Sequence, residues 1–379
     1  MTNRRHFLMG AAALLAAPRI TFAQAPTSRR FIFILQRGAA DGLNTVIPYA
    51  DPAYANLRGE LAIGLDAAAK LDGTFALHSS LAEMKTLYDA GQATFFHAVA
   101  SPYRERSHFD GQNVLETGGK APYALKDGWM NRLLGSLSRK GREGIAFSPT
   151  LPMAMRGKLE VSSYAPSNLP HANEDLMLRI EQLYGQDAQL HALWSAAQEA
   201  RSMAGEAAAQ ARQNPQETGR MAASFLARAD GPRIAMIETN GWDTHSGQNG
   251  RLAGQLRNLD NLVAGLRQGL GPVWDQTVVL VATEFGRTAA ANGTGGTDHG
   301  TGAAAMLLGG AVKGGRVMAD WPGLGPADLY EGRDLRPTLG LDTLISQVCA
   351  EAFKADPARI AKVLFPSTKP GKPLDQLLS

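Results

Sequence analysis

Short apolar segments without polar interruptions recur along the chain, separated by longer segments of mixed character. They lie at residues 31–35, 93–99, 234–237, 277–281 and 305–308. Continuous rather than alternating apolar runs of this length are typical of strands that are buried on both faces of a parallel sheet. The pattern therefore predicts a central sheet of mostly parallel strands.

Helical periodicity occurs between the third and fourth of these segments. Apolar side chains recur at steps of three and four residues, at Leu252, Leu256, Leu259, Val263, Leu266 and Leu270. This spacing places them on one face of a helix, which Gly271-Pro272 ends. Strand 234–237, this helix and strand 277–281 then form a βαβ unit. We predict an α/β fold with a mostly parallel sheet between layers of helices.

A segment between the second and third predicted strands differs in composition. Residues 171–230 are rich in Ala, Gln, Glu and Arg and have little strand character. We interpret them as a helical insertion, interrupted near Asn214-Pro215, that packs beside the sheet or forms a cap. Residues 24–379 as a whole are predicted to form a single domain.

The first 23 residues have the pattern of an export signal. Paired arginines, Arg4 and Arg5, precede a short alanine-rich apolar run, and Thr21-Phe22-Ala23 provides small residues for cleavage after Ala23. A membrane anchor is the alternative, but the run is shorter than the roughly 20 residues that a spanning helix needs. We predict twin-arginine export of the folded protein to the periplasm, with no stable membrane span.

The charge balance changes once this leader is set aside. The whole chain has 38 Lys and Arg against 35 Asp and Glu, but Arg4, Arg5 and Arg19 lie in the leader, which has no acid. The remainder is therefore neutral and gives no argument for a nucleic-acid partner. A single cysteine, Cys349, excludes an internal disulfide.

Acids, histidines and a serine lie where the predicted strands end. They are Asp41, Ser107, His108, Asp243, His245 and Glu284 after strands, with Asp298 and His299 just before the last one. Ligands of open α/β sheets bind outside the carboxyl ends of the strands, so we expect these side chains at one edge. Carboxylates with imidazoles suit Zn²⁺ first, with Mg²⁺, Mn²⁺ or Ca²⁺ as alternatives, and one or two ions.

Each of these residues also has an ordinary structural interpretation. Asp41-Gly42 is typical of a turn, Glu284 could pair with Arg287, and Asp298 could cap a turn. Ser107 precedes a predicted helix at 108–117, where it is either an N-cap or a nucleophile next to a cation. Arg104, Arg106 and Arg287 could clamp the oxygens of an anion. The argument for a site rests on the convergence of independent segments.

The motifs together resemble a known family. They are the leader, Asp41 to Pro48, Arg106-Ser107-His108-Phe109 with Glu116-Thr117-Gly118, Gly241 to His245, Glu284 to Thr288 and Gly296 to Gly300. In this order they resemble the bacterial exported family called domain of unknown function 1501, which is similar to the alkaline phosphatase superfamily. The resemblance implies an alkaline phosphatase-like fold with a two-metal site at the carboxyl edge of the sheet.

The resemblance also implies roles for individual residues. It implies metal ligands at Asp41, Asp243, His245, Glu284 and His299, and a nucleophile at Ser107 or His108. Beside these, we take Asp298 as a further candidate ligand, and Asn44, Arg106 and Arg287 as candidates for substrate binding. The chain departs from the superfamily pattern at Phe285, which stands where a histidine ligand is expected. The Asp-His spacing is also two residues instead of four, and the sulfatase Cys/Ser-x-Pro-x-Arg signature is absent.

Two functions follow as hypotheses. The first is an exported metal-dependent hydrolase of phosphate or sulfate esters, acting on a small-molecule ester or anionic substrate. The second is a non-catalytic periplasmic binding protein, or a partner of another exported protein, that uses the same fold.

Overall fold

The structure is a computed structural model that describes residues 28–137, 143–165, 174–185, 187–204, 214–369 and 371–379. The leader predicted at 1–23 lies outside these ranges. Among the helices within them, none combines the length and the apolar character needed to cross a membrane.

The described part of the chain contains ten α-helices and twelve strands. The helices are α1 (Tyr54–Arg58), α2 (Ala82–Asp89), α3 (His108–Thr117), α4 (Trp129–Leu137), α5 (Glu174–Tyr184), α6 (Ala188–Ala204), α7 (Pro215–Leu226), α8 (Gln248–Leu270), α9 (Leu341–Ala352) and α10 (Pro357–Leu364). The strands are β1 (Arg30–Gln36), β2 (Val46–Ile47), β3 (Ala68–Lys70), β4 (Ala76–His78), β5 (Ala93–Ala100), β6 (Gly144–Phe147), β7 (Ser162–Ser163), β8 (Ile234–Thr239), β9 (Thr277–Thr283), β10 (Ala303–Leu308), β11 (Arg316–Met318) and β12 (Leu339–Gly340).

The main sheet has the strand order β11-β5-β10-β9-β1-β8-β6-β7, and β12 pairs with β5. Its pairs are parallel except those of β10, which runs antiparallel to both β5 and β9. The predicted βαβ unit is present, with β1 lying between β8 and β9. This confirms the expected α/β class with a mostly parallel sheet.

Side chains of β1 show how the sheet separates two apolar layers. Ile32 and Ile34 belong to one buried cluster, which includes residues of α2, α7 and α8. Phe31, Phe33 and Leu35 belong to the other, which includes residues of α4, α9 and α10. Because both faces of the strand are covered, its sequence is a continuous apolar run instead of an alternating one.

The long helix α8 follows its predicted periodicity. All six apolar residues of the predicted face are buried. The helix begins at Gln248, four residues before the predicted start at 252, because its first turn is polar and shows no apolar spacing. It ends at Leu270, followed by Gly271 with φ of 52° and then by Pro272.

The described residues between 171 and 230 are largely helical, as the sequence predicted. Helix α7 begins at Pro215 with Asn214 as its N-cap, which is where the interruption was predicted. Met221 and Phe225 of α7 lie in the core, whereas Leu183 on α5 and Leu193 on α6 are 71% and 61% exposed. Helix α7 thus belongs to the layer on the sheet.

Gly286 marks the point where the loop after β9 meets the loop before β10. A Cβ on Gly286 would lie 1.8 Å from the carbonyl oxygen of Gly302, so the backbone has no room for a side chain. The same two loops pair between Arg287 and His299 as an antiparallel bridge. The close approach therefore holds residues 298–299 against the end of β9.

Gly286→Ala should lower the free energy of unfolding by about 1–3 kcal/mol, because the methyl group forces the paired loops apart. Gly293→Ala is the matched control, since a Cβ there meets nothing within 4 Å. Its effect should stay within about 0.5 kcal/mol. Urea unfolding of both variants measures the difference, and equal midpoints would contradict the packing argument.

Candidate metal centre

Three histidine rings and one carboxylate meet at the carboxyl edge of the main sheet. The Nε2 atoms of His245 and His299 lie 3.0 Å apart, and they lie 3.1 and 3.2 Å from Oδ1 of Asp243. Nε2 of His108 lies 3.4 Å from the other carboxylate oxygen of Asp243. One ligand atom each from His108, Asp243 and His299 fall within 4.8 Å of one another, the spacing of groups that share a metal ion.

The four side chains come from three separate segments. His108 is the first residue of α3, Asp243 and His245 follow β8, and His299 precedes β10. His299 reaches the same edge as the others because β10 is antiparallel, so that its amino end lies beside the carboxyl end of β5. The orientation of this one strand therefore brings the last predicted motif into the centre.

Each ring is held through its Nδ1 atom by a group that accepts a hydrogen bond. The acceptors are Oε1 of Glu284 for His108 (2.9 Å), Oδ1 of Asp298 for His245 (3.0 Å) and the carbonyl oxygen of Arg106 for His299 (2.9 Å). A carbonyl or an ionised carboxylate can only accept, so Nδ1 carries the proton in each neutral ring. The Nε2 atoms are then left as lone-pair donors directed at the centre.

This arrangement leaves the lone pairs of the Nε2 atoms without a hydrogen-bond donor. The His245 and His299 Nε2 atoms face each other at 3.0 Å, and Nε2 of His108 is buried without a hydrogen-bond partner among the described residues. A buried acceptor left unpaired costs about 1–3 kcal/mol. The ligand atoms of His108, Asp243 and His299 are close enough to share one divalent cation, so these residues fit a metal ion.

The protonation states suit such an ion, because metal binding requires neutral imidazole and ionised carboxylate. Burial lowers the pKa of His299, and the neighbouring His108 lowers it further. Burial raises the pKa of Asp243, but hydrogen bonding and charge from Arg287 outweigh this, so the net shift is downward. The hydrogen bond from Nδ1 to Glu284 raises the pKa of His108, which makes its Nε2 a more basic ligand.

The donor set of the clustered residues is mixed. Two imidazole nitrogens with one carboxylate oxygen, from His108, His299 and Asp243, suit Zn²⁺ and its first-row neighbours better than Mg²⁺ or Ca²⁺, which prefer oxygen ligands. Carboxylate or carbonyl partners on the second nitrogen of each ring are the usual support of histidine ligands.

Comparison with known families agrees with the motifs. Residues 28–364 match the sequence model of the family described as "Protein of unknown function (DUF1501)". The chain belongs to this family. No curated protein matches the sequence.

Solved structures similar in fold to this DUF1501 protein have low sequence identity to it. One is a protein in the alkaline phosphatase superfamily from Vibrio parahaemolyticus, with 11% identity, a TM-score of 0.39, and coverage of 82% of this chain and 69% of that chain. A putative sulfatase from Bacteroides thetaiotaomicron has 9% identity, a TM-score of 0.41, and coverage of 90% and 76%. The C-terminal periplasmic domain of EcEptC from Escherichia coli has 12% identity, a TM-score of 0.42, and coverage of 92% and 90%. Similarities of this size do not extend to substrate or activity.

Several residues predicted to bind metal or substrate have other partners in the DUF1501 structure. Asp41 does not join the centre, because both of its oxygens accept hydrogen bonds from the buried Arg58. Asn44 is also buried, with its amide bonded to the Leu61 carbonyl and the Tyr54 hydroxyl. These contacts hold both side chains away from the centre in this structure.

The two predicted arginine clamps are likewise occupied by protein groups. Arg287 is buried and donates to Asp243 and to both the hydroxyl and the carbonyl of Thr297. Arg106 pairs with Glu331 and Asp334, and its carbonyl orients His299. Their guanidinium groups therefore support the centre in this structure instead of lying open to an anion.

Glu284 and Asp298, expected as ligands, accept hydrogen bonds from the rings of His108 and His245 in this structure. The Glu284 carboxylate is fully buried and accepts from His108, Gln112 and the Gly38 backbone on the same oxygen. Asp298 accepts from His245 and from Asn292. Asp243, His245 and His299 lie in the centre as predicted, and His108, predicted as an alternative nucleophile, lies there with them.

Ser107 and Phe285 also differ from their simplest interpretations. Ser107 is the N-cap residue of α3 by position, but its side chain makes no capping hydrogen bond. Phe285 is buried and stacks on the His108 ring, with ring centroids 5.1 Å apart. It therefore forms an apolar wall that fixes His108 instead of binding metal.

Three supporting residues were missed in the sequence. Gln112 lies four residues after His108 on α3, and this helical spacing is a signal that could have identified it. Arg58 and Gln248 could not have been identified in this way, because each contacts Asp41 only through the tertiary fold, which no local sequence pattern predicts.

Proposed function

We propose that this protein is an exported hydrolase of phosphate or sulfate esters that uses a divalent metal ion held by His108, Asp243, His245 and His299. The observation that supports it most is the convergence of unprotonated Nε2 atoms around one ionised carboxylate. The leader pattern supports export to the periplasm, and the motif resemblance supports ester hydrolysis. When bound, a metal ion of this kind lowers the pKa of a bound water to about 7 and polarises an ester oxygen.

Ser107 is the candidate nucleophile. It directly precedes the ligand His108, and its hydroxyl is not used to cap α3. The first turn of α3 has backbone N–H groups without intrahelical partners, and these favour negative charge beside the serine. An anionic ester bound here would therefore lie between the proposed metal ion and the backbone N–H groups at the N-terminus of α3.

A specific observation favours the second hypothesis, a non-catalytic binding protein. Both arginines expected to hold a substrate anion are engaged by acids, Arg106 by Glu331 and Asp334, and Arg287 by Asp243. A centre without a free arginine could retain a metal and bind an exported partner or ligand without turnover.

The deciding experiment is an assay of the mature protein, loaded with Zn²⁺, against aryl phosphate monoesters, phosphate diesters and aryl sulfates. We expect turnover of at least one class, abolished in His299→Ala, and lowered at least 100-fold in Ser107→Ala if the hydroxyl attacks the ester. Protein that retains Zn²⁺ and hydrolyses none of the three classes would refute the hydrolase and favour the binding protein.

Chelation should lower the thermal stability of the protein. A ligand that binds the native state at 100 times its dissociation constant stabilises it by about 2.7 kcal/mol, so removing the metal should lower Tm by several degrees. Calorimetry with and without EDTA measures this shift. His299→Ala should show no shift with EDTA, and a chelator-independent Tm for the metal-supplemented wild type would contradict the metal centre.

A further inference from the structure

Asp41 and Arg58 form a buried ion pair at the carboxyl end of β1. Arg58 is 0% exposed and Asp41 1%, and the guanidinium binds both carboxylate oxygens, at 2.6 and 2.9 Å. The Leu43 N–H also donates to Oδ1 at 3.0 Å, and the Gln248 amide donates to Oδ2. Each oxygen thus has at least two donors, which leaves no free lone pair for a metal ion.

Arg58 is not free to leave this position. It ends α1, and α1 is tied to the segment after Asp41 through the Tyr54 hydroxyl, which donates to Asn44 at 2.9 Å. Asn44 in turn donates to the Leu61 carbonyl at 2.7 Å, beyond the other end of the helix. Withdrawing Arg58 would also strand a buried carboxylate, which is strongly unfavourable.

Gln248 connects this pair to the metal centre. Its amide nitrogen donates to Asp41, so its oxygen is the acceptor for the hydroxyls of Thr244, at 2.9 Å, and Thr297, at 2.6 Å. Thr297 accepts from Nε of Arg287, at 3.2 Å, and Arg287 donates to Asp243. A continuous buried chain of hydrogen bonds therefore runs from Arg58 to the carboxylate of the centre.

We propose that Arg58 is a permanent internal cation at this edge of the sheet, so that the centre binds one metal ion and not two. In the same proposal, Gln248 is a positioning residue for Arg287 and Asp243. The inference rests on the proposed metal centre. Its physical basis is that Arg58 already neutralises the charge of Asp41 and occupies its oxygens. A second divalent cation would therefore find no free ligand atom and no unpaired negative charge at the end of β1.

The first test is the stoichiometry of Zn²⁺ in the purified mature protein, measured by elemental analysis after dialysis. We expect one equivalent. The double variant Asp41→Asn/Arg58→Met removes both charges together, which avoids leaving one buried and unpaired, and it should also retain one equivalent.

The outcomes separate this inference from the proposed function. Two equivalents in the wild type, or loss of an equivalent in the double variant, would overturn the single-ion site and leave the metal-dependent hydrolase standing. No bound Zn²⁺ in the wild type would refute both. If the double variant fails to fold, the wild-type stoichiometry still decides the question.

The second test is the Zn²⁺ dissociation constant of Gln248→Met. Loss of a partner that contacts a ligand directly typically weakens metal binding 10–100-fold. Because Gln248 reaches Asp243 only through Thr297 and Arg287, we expect a smaller loss of about 3–10-fold, with the stoichiometry unchanged. Gln268→Met is the matched control at the other end of α8, where Gln268 contacts only surface groups, Gln216 and Arg220. Equal Zn²⁺ affinities of the two variants would show that Gln248 merely fills space.

Discussion

His299→Ala should leave the purified protein with almost no bound Zn²⁺. The mutation removes one of the converging Nε2 atoms and, with it, the ring that lies 3.0 Å from His245 and 3.2 Å from Asp243. Loss of an outer-shell partner alone weakens metal binding 10–100-fold, so loss of a ligand should exceed 100-fold. Isothermal titration of the apoprotein with Zn²⁺ measures this change.

The matched control is His191→Ala, on α6 and outside the centre. It should bind Zn²⁺ with wild-type affinity, because removing a histidine outside the centre takes away none of the atoms that would hold the ion. The fold of His299→Ala should persist, since the side chain is 25% exposed and its apolar contact is with Phe285 of a small cluster at the sheet edge. If His299→Ala binds one equivalent of Zn²⁺ with wild-type affinity, the metal site is not at this centre.

Five strands of the main sheet, β1, β5, β8, β9 and β10, could be predicted because burial on both faces produces continuous apolar runs in the sequence. β1 and β9 are apolar at nearly every position, since each side chain meets helices on one face or the other. The antiparallel direction of β10 could not be predicted in the same way, because a continuous apolar run does not indicate whether a strand is parallel or antiparallel to its neighbours. Yet it is the antiparallel direction of β10 that brings His299 to the centre.

The set of residues at the sheet edge was predictable, but their division of labour was not. Strand ends place acids and histidines together, and Asp243, His245 and His299 meet as expected. Whether an acid points at the centre or supports a ligand depends on which atoms face it. Glu284 is held by the Gly38 N–H and Gln112, so it orients His108, and no spacing rule contains that information.

The ion pair of Asp41 could not be predicted, for a related reason. Asp41 lies at a strand end, the position expected of a ligand, but its partner Arg58 comes from a short helix that reads as ordinary surface sequence. Only the tertiary fold brings the guanidinium to the carboxylate. An ion pair of this kind removes a residue from metal chemistry without any change in the local motif.

Glu284→Gln should weaken Zn²⁺ binding about 10–100-fold while changing the stability of the apoprotein little. The glutamine oxygen can replace Oε1 and keep the donors Gly38, His108 and Gln112, and its amide nitrogen can donate to the Thr283 hydroxyl, 3.0 Å from Oε2. The loss is then the negative charge that makes His108 a basic ligand. Zinc titration and urea unfolding of the apoprotein separate the two effects.

Glu284→Ala extends the argument, because it removes every acceptor at once. The buried N–H of Gly38 and the donors of His108 and Gln112 lose their partner, at about 1–3 kcal/mol for each group left unsatisfied. Asp260→Asn is the control: it alters another buried acid, which accepts from the N–H groups of α2 far from the centre. It should destabilise the protein but leave the Zn²⁺ affinity unchanged. If instead Glu284→Gln kept wild-type affinity, the carboxylate would serve the fold alone, and His108 would not depend on it as a ligand.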